Sequence, residues 1–194
     1  PESSSVILQA QSRWQQVQKF MLLGLEHILT GYDHLLFLFA LLLVGERFRY
    51  LAKIITTFTL AHSLTLSLAV LGWVYAPSRL IESLIAASIV YVLIVDVIWK
   101  KREASAAIVF GFGLIHGLGF ASILKEMALP AGQRALALVS FNVGIEAGQL
   151  VLASVFWGFL MLLRRQKRLN AFLRPTMAYA ALILACIWCA ERIL

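Results

Sequence analysis

The chain has 194 residues, of which 61% are hydrophobic and only 14% are charged. Soluble globular domains carry about 25% charged residues, so this composition excludes an ordinary soluble domain and indicates an integral membrane protein. The net charge of +7 could suggest nucleic-acid binding. The basic residues, however, form short clusters between apolar runs, as in the loops of membrane proteins. We therefore expect a lipid bilayer as partner and no nucleic acid.

The apolar runs predict an all-α, polytopic transmembrane helical bundle. A bilayer core of about 30 Å requires about 20 apolar residues in a helix. This criterion predicts about six spans, near 18–45, 50–74, 79–99, 105–126, 132–163 and 171–190. A short amphipathic helix over 6–19 is expected to precede them and either to lie along the membrane surface or to cap the bundle, with Trp14, Val17 and Phe20 at helical spacing.

The domain organisation and the orientation follow from linkers and charges. No long polar linker interrupts the chain, so we expect an N-terminal extracytoplasmic or interfacial segment over 1–17 and a single transmembrane domain over 18–194. Basic residues concentrate after the first, third and fifth spans, which places both termini outside the cytoplasm by the positive-inside rule. The chain begins without methionine, so a signal peptide or a larger upstream region is expected before Pro1.

The first span is interrupted by polar residues and glycine. Glu26 and His27 are followed by the run 30–34, Thr-Gly-Tyr-Asp-His, before the apolar run resumes at Leu35. Polar or irregular backbone at membrane depth is tolerated only where protein or a water-filled cavity covers it. The sequence therefore predicts an inward-facing kink or a short unwound turn near Gly31.

Ionisable residues within the spans indicate a buried site. The histidines are His27, His34, His62 and His116, and the clearest carboxylates are Asp33 and Glu146. A charged side chain at the bilayer centre costs about 3 kcal/mol on insertion scales, so such residues require partners, water or a bound ion. A single histidine could be a helix–helix hydrogen-bond partner, but four beside two acids favour a site. Imidazole with carboxylate is the ligand set of zinc, nickel, cobalt and iron.

Neighbouring polar residues are expected to support this site. Thr59, His62 and Ser63 share a helix face in the second span, and Asn142, Glu146 and Gln149 form one polar stripe in the fifth. Amides and hydroxyls can bind an ion directly or hold its ligands in place. We expect the supporting residues to be Glu26, Ser63, Asn142 and Gln149. Two glycine pairs, Gly113 with Gly117 and Gly144 with Gly148, predict close helix contacts.

Four segments together resemble the HupE/UreJ family of bacterial membrane proteins. They are 24–37 (GLEHILTGYDHLLF), 58–65 (FTLAHSLT), 110–121 (FGFGLIHGLGFA) and 141–149 (FNVGIEAGQ). The most specific element is His-x5-Asp-His, from His27 to His34. The resemblance implies a multi-pass protein of the bacterial inner membrane that carries a divalent metal, nickel or cobalt. It also implies that the metal ligands are His27, Asp33, His34, His62, His116 and Glu146, and that an extracytoplasmic domain or partner protein accompanies the bundle.

Three functions remain open at this stage. The first is a transition-metal permease, which the resemblance favours over an enzyme. The second is an intramembrane metal-dependent hydrolase in which Glu146 or Glu26 serves as the base. The third is a haem-binding electron-transfer module, ligated by His62 and His116 from separate spans. The identity of the metal is not determined by the sequence.

Overall fold

The protein is an all-helical bundle, as predicted. The computed structural model describes residues 12–45, 47–97, 104–120 and 131–193. These residues form seven α-helices and no strand. The helices are α1 (Arg13–Thr30), α2 (Tyr32–Val44), α3 (Phe48–Val70), α4 (Ser78–Val97), α5 (Ala106–Gly119), α6 (Ala131–Arg165) and α7 (Lys167–Ile193).

The first span is broken at Gly31, which confirms the predicted kink. The Gly31 N–H still donates to His27 O at 2.9 Å, while Gly31 O accepts from the Leu35 N–H at 3.0 Å. Gly31 therefore ends α1 and begins α2, and the two helix axes are bent by 70°. A Cβ at this position would lie 2.6 Å from His27 O and 3.0 Å from His34 Nδ1. Only glycine allows both histidines to approach this turn.

The N-terminal part differs from the prediction. Ser12 caps α1, because its hydroxyl accepts from the Gln15 N–H at 3.2 Å and its own N–H donates to the Gln15 side chain at 2.9 Å. Residues 13–19 are therefore the first turns of α1 and not a separate amphipathic helix. Residues 6–11 of the expected amphipathic helix lie outside the described residues. A strong capping box explains the earlier start, since it satisfies two unpaired donors of the first turn.

Helix length and composition support membrane crossing. Four helices, α3, α4, α6 and α7, are long and apolar enough to span a bilayer, and the bent pair of α1 and α2 makes a fifth span if counted as one. Helix α5 has 14 residues, or about 21 Å, which is shorter than the bilayer core. The predicted ends of the third and fourth spans, 98–99 and 121–126, lie outside the described residues. The expected count of six is therefore approximate.

Helix α2 occupies the centre of the bundle. It contacts α4, α6 and α7 as well as its neighbours in the chain. Most of its side chains from Phe37 to Val44 belong to the main apolar core, together with residues of α3, α4 and α7. In the first turn of α2, His34 is thereby turned into the bundle and is only 8% exposed.

Glycines allow two pairs of helices to pack closely around this centre. Helix α1 lies against α6, where a Cβ at Gly24 would collide with Phe141 O and a Cβ at Gly144 would collide with Met21 O. Helix α3 lies against α5, where a Cβ at Gly117 would collide with His62 O. These contacts confirm the expected close packing at Gly117 and Gly144. They also hold the backbones that carry the histidines near one another.

The α1–α6 contact predicts a specific pattern of stability. We expect Gly24→Ala and Gly144→Ala to destabilise the bundle by about 1–3 kcal/mol, the usual cost of overpacking a close contact. The measurement is the melting temperature of the purified protein in detergent. Gly158→Ala is the matched control, because Gly158 lies in α6 with open space around it. Equal melting temperatures for the three variants would contradict the close packing.

Candidate metal site

Three histidines from three helices converge inside the bundle. His27 lies near the end of α1, His34 in the first turn of α2 and His62 in α3. One ring nitrogen from each lies within 4.8 Å of the other two. The ring centroids are 4.7 Å apart for His27 and His34, 6.1 Å for His27 and His62, and 5.8 Å for His34 and His62.

The spacing of these nitrogens suits a transition-metal ion. Imidazole nitrogens bind such ions at about 2.0–2.1 Å, so the ligands of one tetrahedral ion lie about 3.4 Å apart. Side-chain movements on the order of 1 Å would bring the three nitrogens to that spacing. His62 is fully buried and His34 nearly so. The three rings thus form a compact, enclosed set of nitrogen donors.

The buried ring nitrogens have no hydrogen-bond partners within the described residues. This holds for His27 Nε2, His34 Nε2 and both nitrogens of His62. Buried polar atoms in proteins are nearly always hydrogen-bonded, because an unpaired one loses its interaction with water. Several unpaired nitrogens in one place therefore point to a partner that binds imidazole lone pairs. A divalent transition metal is such a partner.

His116 stands beside this group and has a different environment. Its ring centroid lies 5.3 Å from that of His34, and its Nε2 is 3.0 Å from Ser88 Oγ. The Ser88 hydroxyl donates its single proton to Ile85 O at 2.6 Å, so it accepts from His116 Nε2–H. Nδ1 of His116 then carries the lone pair and is also buried without a partner among the residues that the structure describes.

Aromatic rings enclose the histidines. Phe37 and Phe58 pack against His116 with centroid distances of 5.1 and 5.0 Å. Phe120 packs against His27 at 4.1 Å and stacks on Phe141 at 5.2 Å. This lining excludes water and strengthens electrostatic interactions at the site.

Asp33 lies outside the three-histidine group. Its Oδ1 and Oδ2 are 2.9 and 3.1 Å from Arg192 Nη2, at the end of α7. Both side chains are 24% exposed. The sequence indicated that Asp33 could turn inward at the break, but the carboxylate faces an arginine that no motif singled out. Its assignment as a metal ligand stays a prediction.

Glu146 is also outside the three-histidine group. Its Oε1 accepts from Thr56 Oγ1 at 2.8 Å, and one turn further along α6, Gln149 Oε1 accepts from Thr59 Oγ1 at 2.9 Å. The predicted polar stripe of α6 therefore faces α3. It meets α3 at Thr56 and Thr59, in the two turns that precede His62. The role of Glu146 as a ligand likewise stays a prediction.

The expected supporting residues have different surroundings. The Asn142 side chain lies beside the His62 ring; its Nδ2 donates to Leu138 O at 2.8 Å, and its Oδ1 is buried without a hydrogen-bond partner in the described part of the chain. The Ser63 hydroxyl donates to Thr59 O at 2.6 Å. The Glu26 side chain is exposed. Of these three side chains, Asn142 is the one that lies against a histidine of the group.

Two residues of this region were missed by the sequence analysis. Ser88 Oγ accepts from His116 Nε2–H and so determines the tautomer of that ring, and Arg192 forms an ion pair with Asp33. Arg192 could have been suspected, because an arginine at the end of a span is a common partner for an acid at the same depth. Ser88 gave no comparable signal, since a lone serine in an apolar helix usually bonds to its own backbone.

The comparisons with known proteins agree with this picture. No curated protein and no solved structure shows significant similarity to the chain. The family model described as HupE / UreJ protein matches residues 2–192, nearly the whole length. Together with the apolar helices, this match identifies a multi-pass membrane protein. The chain belongs to the HupE/UreJ family.

Proposed function

We propose that the chain is a permease for a divalent transition-metal ion, and that His27, His34 and His62 bind the ion during its passage. The observation that carries this proposal is the convergence of three ring nitrogens, one from each residue, within 4.8 Å of one another. Membership of the HupE/UreJ family, which is associated with nickel and cobalt transport, supports the same function.

The donor atoms favour a transition metal over a hard cation. Neutral imidazole suits nickel, cobalt, zinc and copper, whereas magnesium and calcium require oxygen ligands. The three-histidine group contains no carboxylate among the described residues. Asn142 Oδ1, on a side chain beside His62, is a candidate for an additional oxygen ligand. His116 is the candidate for an additional nitrogen ligand through its Nδ1.

The charge of the site favours transport over storage. Three neutral imidazoles leave the double positive charge of the ion uncompensated, so binding is weaker than at a site with carboxylates. A transported ion must bind firmly enough to enter and loosely enough to leave. The site also lies at a break between two helices, an arrangement that secondary transporters use to bind ions near the bilayer midplane.

The polar contacts between α3 and α6 extend from the site along a candidate path for the ion. Thr59 with Gln149 and Thr56 with Glu146 present oxygen atoms at successive turns beyond His62. Oxygen atoms at such intervals would replace part of the hydration shell of an ion that leaves the histidines. We therefore assign Glu146 to this path and not to the three-histidine group.

The two alternative functions find less support. A hydrolase requires a base beside the metal-bound water, yet Glu26 is exposed and Glu146 bonds to Thr56. A haem between His62 and His116 would need room for a macrocycle. The ring of Phe58 instead packs against both histidines, at centroid distances of 6.1 and 5.0 Å.

Metal binding should depend on the three histidines. We expect His27→Gln, His34→Gln and His62→Gln each to weaken binding of Ni²⁺ or Co²⁺ by at least about 10- to 100-fold, since each removes one of three ligands. The measurement is equilibrium dialysis of the purified protein with elemental analysis. His116→Gln is expected to weaken binding less than about tenfold. Full binding by His62→Gln would remove the proposal.

The turn at Gly31 should be as important as the ligands. Gly31→Ala places a Cβ 3.0 Å from His34 Nδ1 and 2.6 Å from His27 O, so the two histidines must separate. We expect metal affinity to fall by about tenfold or more, as for loss of a group that orients a ligand. Gly111→Ala is the control, because Gly111 has open space around it. Equal metal affinity in both variants would show that the turn does not position the site.

Transport should be visible in a reconstituted system. Proteoliposomes that contain a metal-sensitive dye should take up Ni²⁺ or Co²⁺ down a concentration gradient faster than protein-free vesicles. His62→Gln should reduce this flux to the protein-free level, because it removes the fully buried ligand. A protein that binds metal at the histidines but produces no flux would be a metal-binding protein and not a permease.

A further inference from the structure

A set of polar contacts joins the break in the first span to the ends of α4 and α7. Arg192 Nη2 binds the Asp33 carboxylate, and Arg192 Nη1 donates to Glu82 O at 3.3 Å. The backbone of α7 is held at the same place, because Ile193 O accepts from Arg79 Nη2 at 3.2 Å, and Ser83 Oγ lies 3.0 Å from Arg192 O. We call the pair of Asp33 and Arg192 the Arg192 lock.

The Arg192 lock is adjacent in the chain to the three-histidine group. Asp33 directly precedes His34, yet Asp33 is 24% exposed whereas His34 is 8% exposed. The side chains of these two neighbouring residues therefore differ in burial, the first being partly exposed and the second buried. An ion that approaches His34 from this end of the bundle passes the lock and meets the positive charge of Arg192.

The contacts around Arg192 allow its guanidinium to separate from the Asp33 carboxylate. Both members of the ion pair are partly exposed, so separating them costs less than leaving an unpaired charge fully buried in the interior. The end of α7 is also held by Arg79 through the Ile193 carbonyl, so the guanidinium of Arg192 can exchange its contacts with Asp33 and Glu82 without movement of the helix. The Trp188 ring lies 5.8 Å from the Arg192 guanidinium carbon. This aromatic face can hold a guanidinium that has left a carboxylate.

We propose that Arg192 gates access to the three histidines by occupying Asp33. In the closed state, the guanidinium neutralises the carboxylate and repels a cation. An arriving divalent cation competes for the carboxylate, the guanidinium withdraws while it keeps its contact with the Trp188 ring, and the cation proceeds from Asp33 to His34. Asp33 is thus a capture residue that precedes the three-histidine group. This proposal rests on the proposed function, since it concerns access to the same site.

The two members of the lock then have opposite effects on the rate of metal binding. Arg192→Gln leaves the carboxylate free and removes a repelling charge, so association should accelerate. Asp33→Asn leaves the arginine in place without its acid, so association should slow. A purely structural ion pair predicts the same direction for both variants, because each removes the same contact. Opposite changes of the association rate in the two variants therefore indicate gating, and changes in the same direction indicate a structural ion pair.

The first experiment measures association rates. Purified protein in detergent is mixed with Ni²⁺ or Co²⁺ in a stopped-flow instrument, and metal binding is followed by absorbance. We expect Arg192→Gln to bind about tenfold faster than the unaltered protein and Asp33→Asn about tenfold slower, both effects shrinking at high salt. Arg79→Gln is the matched control, because Arg79 anchors the same end of α7 through backbone carbonyls and not through Asp33.

The second experiment tests the gate without any metal. Diethyl pyrocarbonate modifies accessible imidazole nitrogens, and mass spectrometry locates the modified residues. We expect His34 to be modified severalfold faster in Arg192→Gln than in the unaltered protein or in Arg79→Gln. Circular dichroism and melting temperature identify any variant that has lost its fold, and Arg192→Lys, which keeps the charge, should restore slow modification.

The outcomes separate the two proposals. Faster modification of His34 together with opposite changes in association rate supports the gate. Unchanged modification in a folded Arg192→Gln overturns it, as do association rates that shift in the same direction in both variants. If the unaltered protein binds no metal, the proposed function fails, and the modification rates still decide whether Arg192 controls access to His34.

Discussion

The site depends on one constraint, the absence of a side chain at Gly31. A continuous helix would carry His27 and His34 on one face at separate turns, about 10 Å apart along the axis. The break brings their ring centroids to 4.7 Å, which leaves both rings facing His62. The same turn directs α2 into the centre of the bundle, where its apolar side chains are buried. Site geometry and core packing therefore originate from the same residue.

The two carboxylates of this region lie outside the three-histidine group. Asp33 is neutralised by Arg192 and Glu146 bonds to Thr56, so neither acid lies within the three-histidine group. An acid in direct contact with a divalent ion in a low-dielectric interior would bind it strongly and slow its release. Under the proposed function, acids placed before and after a neutral site would attract the ion without retaining it. This distribution favours passage over retention.

Much of this arrangement could be predicted from the sequence, because the strongest signals are local. The break follows from a glycine among polar residues, and a buried site follows from the high cost of placing ionisable residues in lipid. The sequence predicted six ligands, and the structure brings three of them, His27, His34 and His62, into one group. An arginine at the end of a span could be suspected as the partner of Asp33, but the sequence does not single out Arg192, which is 159 positions away and carries no motif. The start of α1 was misjudged because the capping residues Ser12 and Gln15 extend the helix into a polar stretch.

The ring nitrogens of the three histidines have no partners before an ion binds, so the surrounding structure must hold them in place. Buried polar atoms without partners are costly, so tight helix packing must hold His27 and His62 in place. Gly24 and Gly117 provide it, because each lets a neighbouring backbone approach too closely for a side chain. Part of the free energy of helix packing thus offsets the cost of keeping these unpaired nitrogens close together. An ion that binds there relieves that cost, which allows neutral ligands to attract a cation without a carboxylate among them.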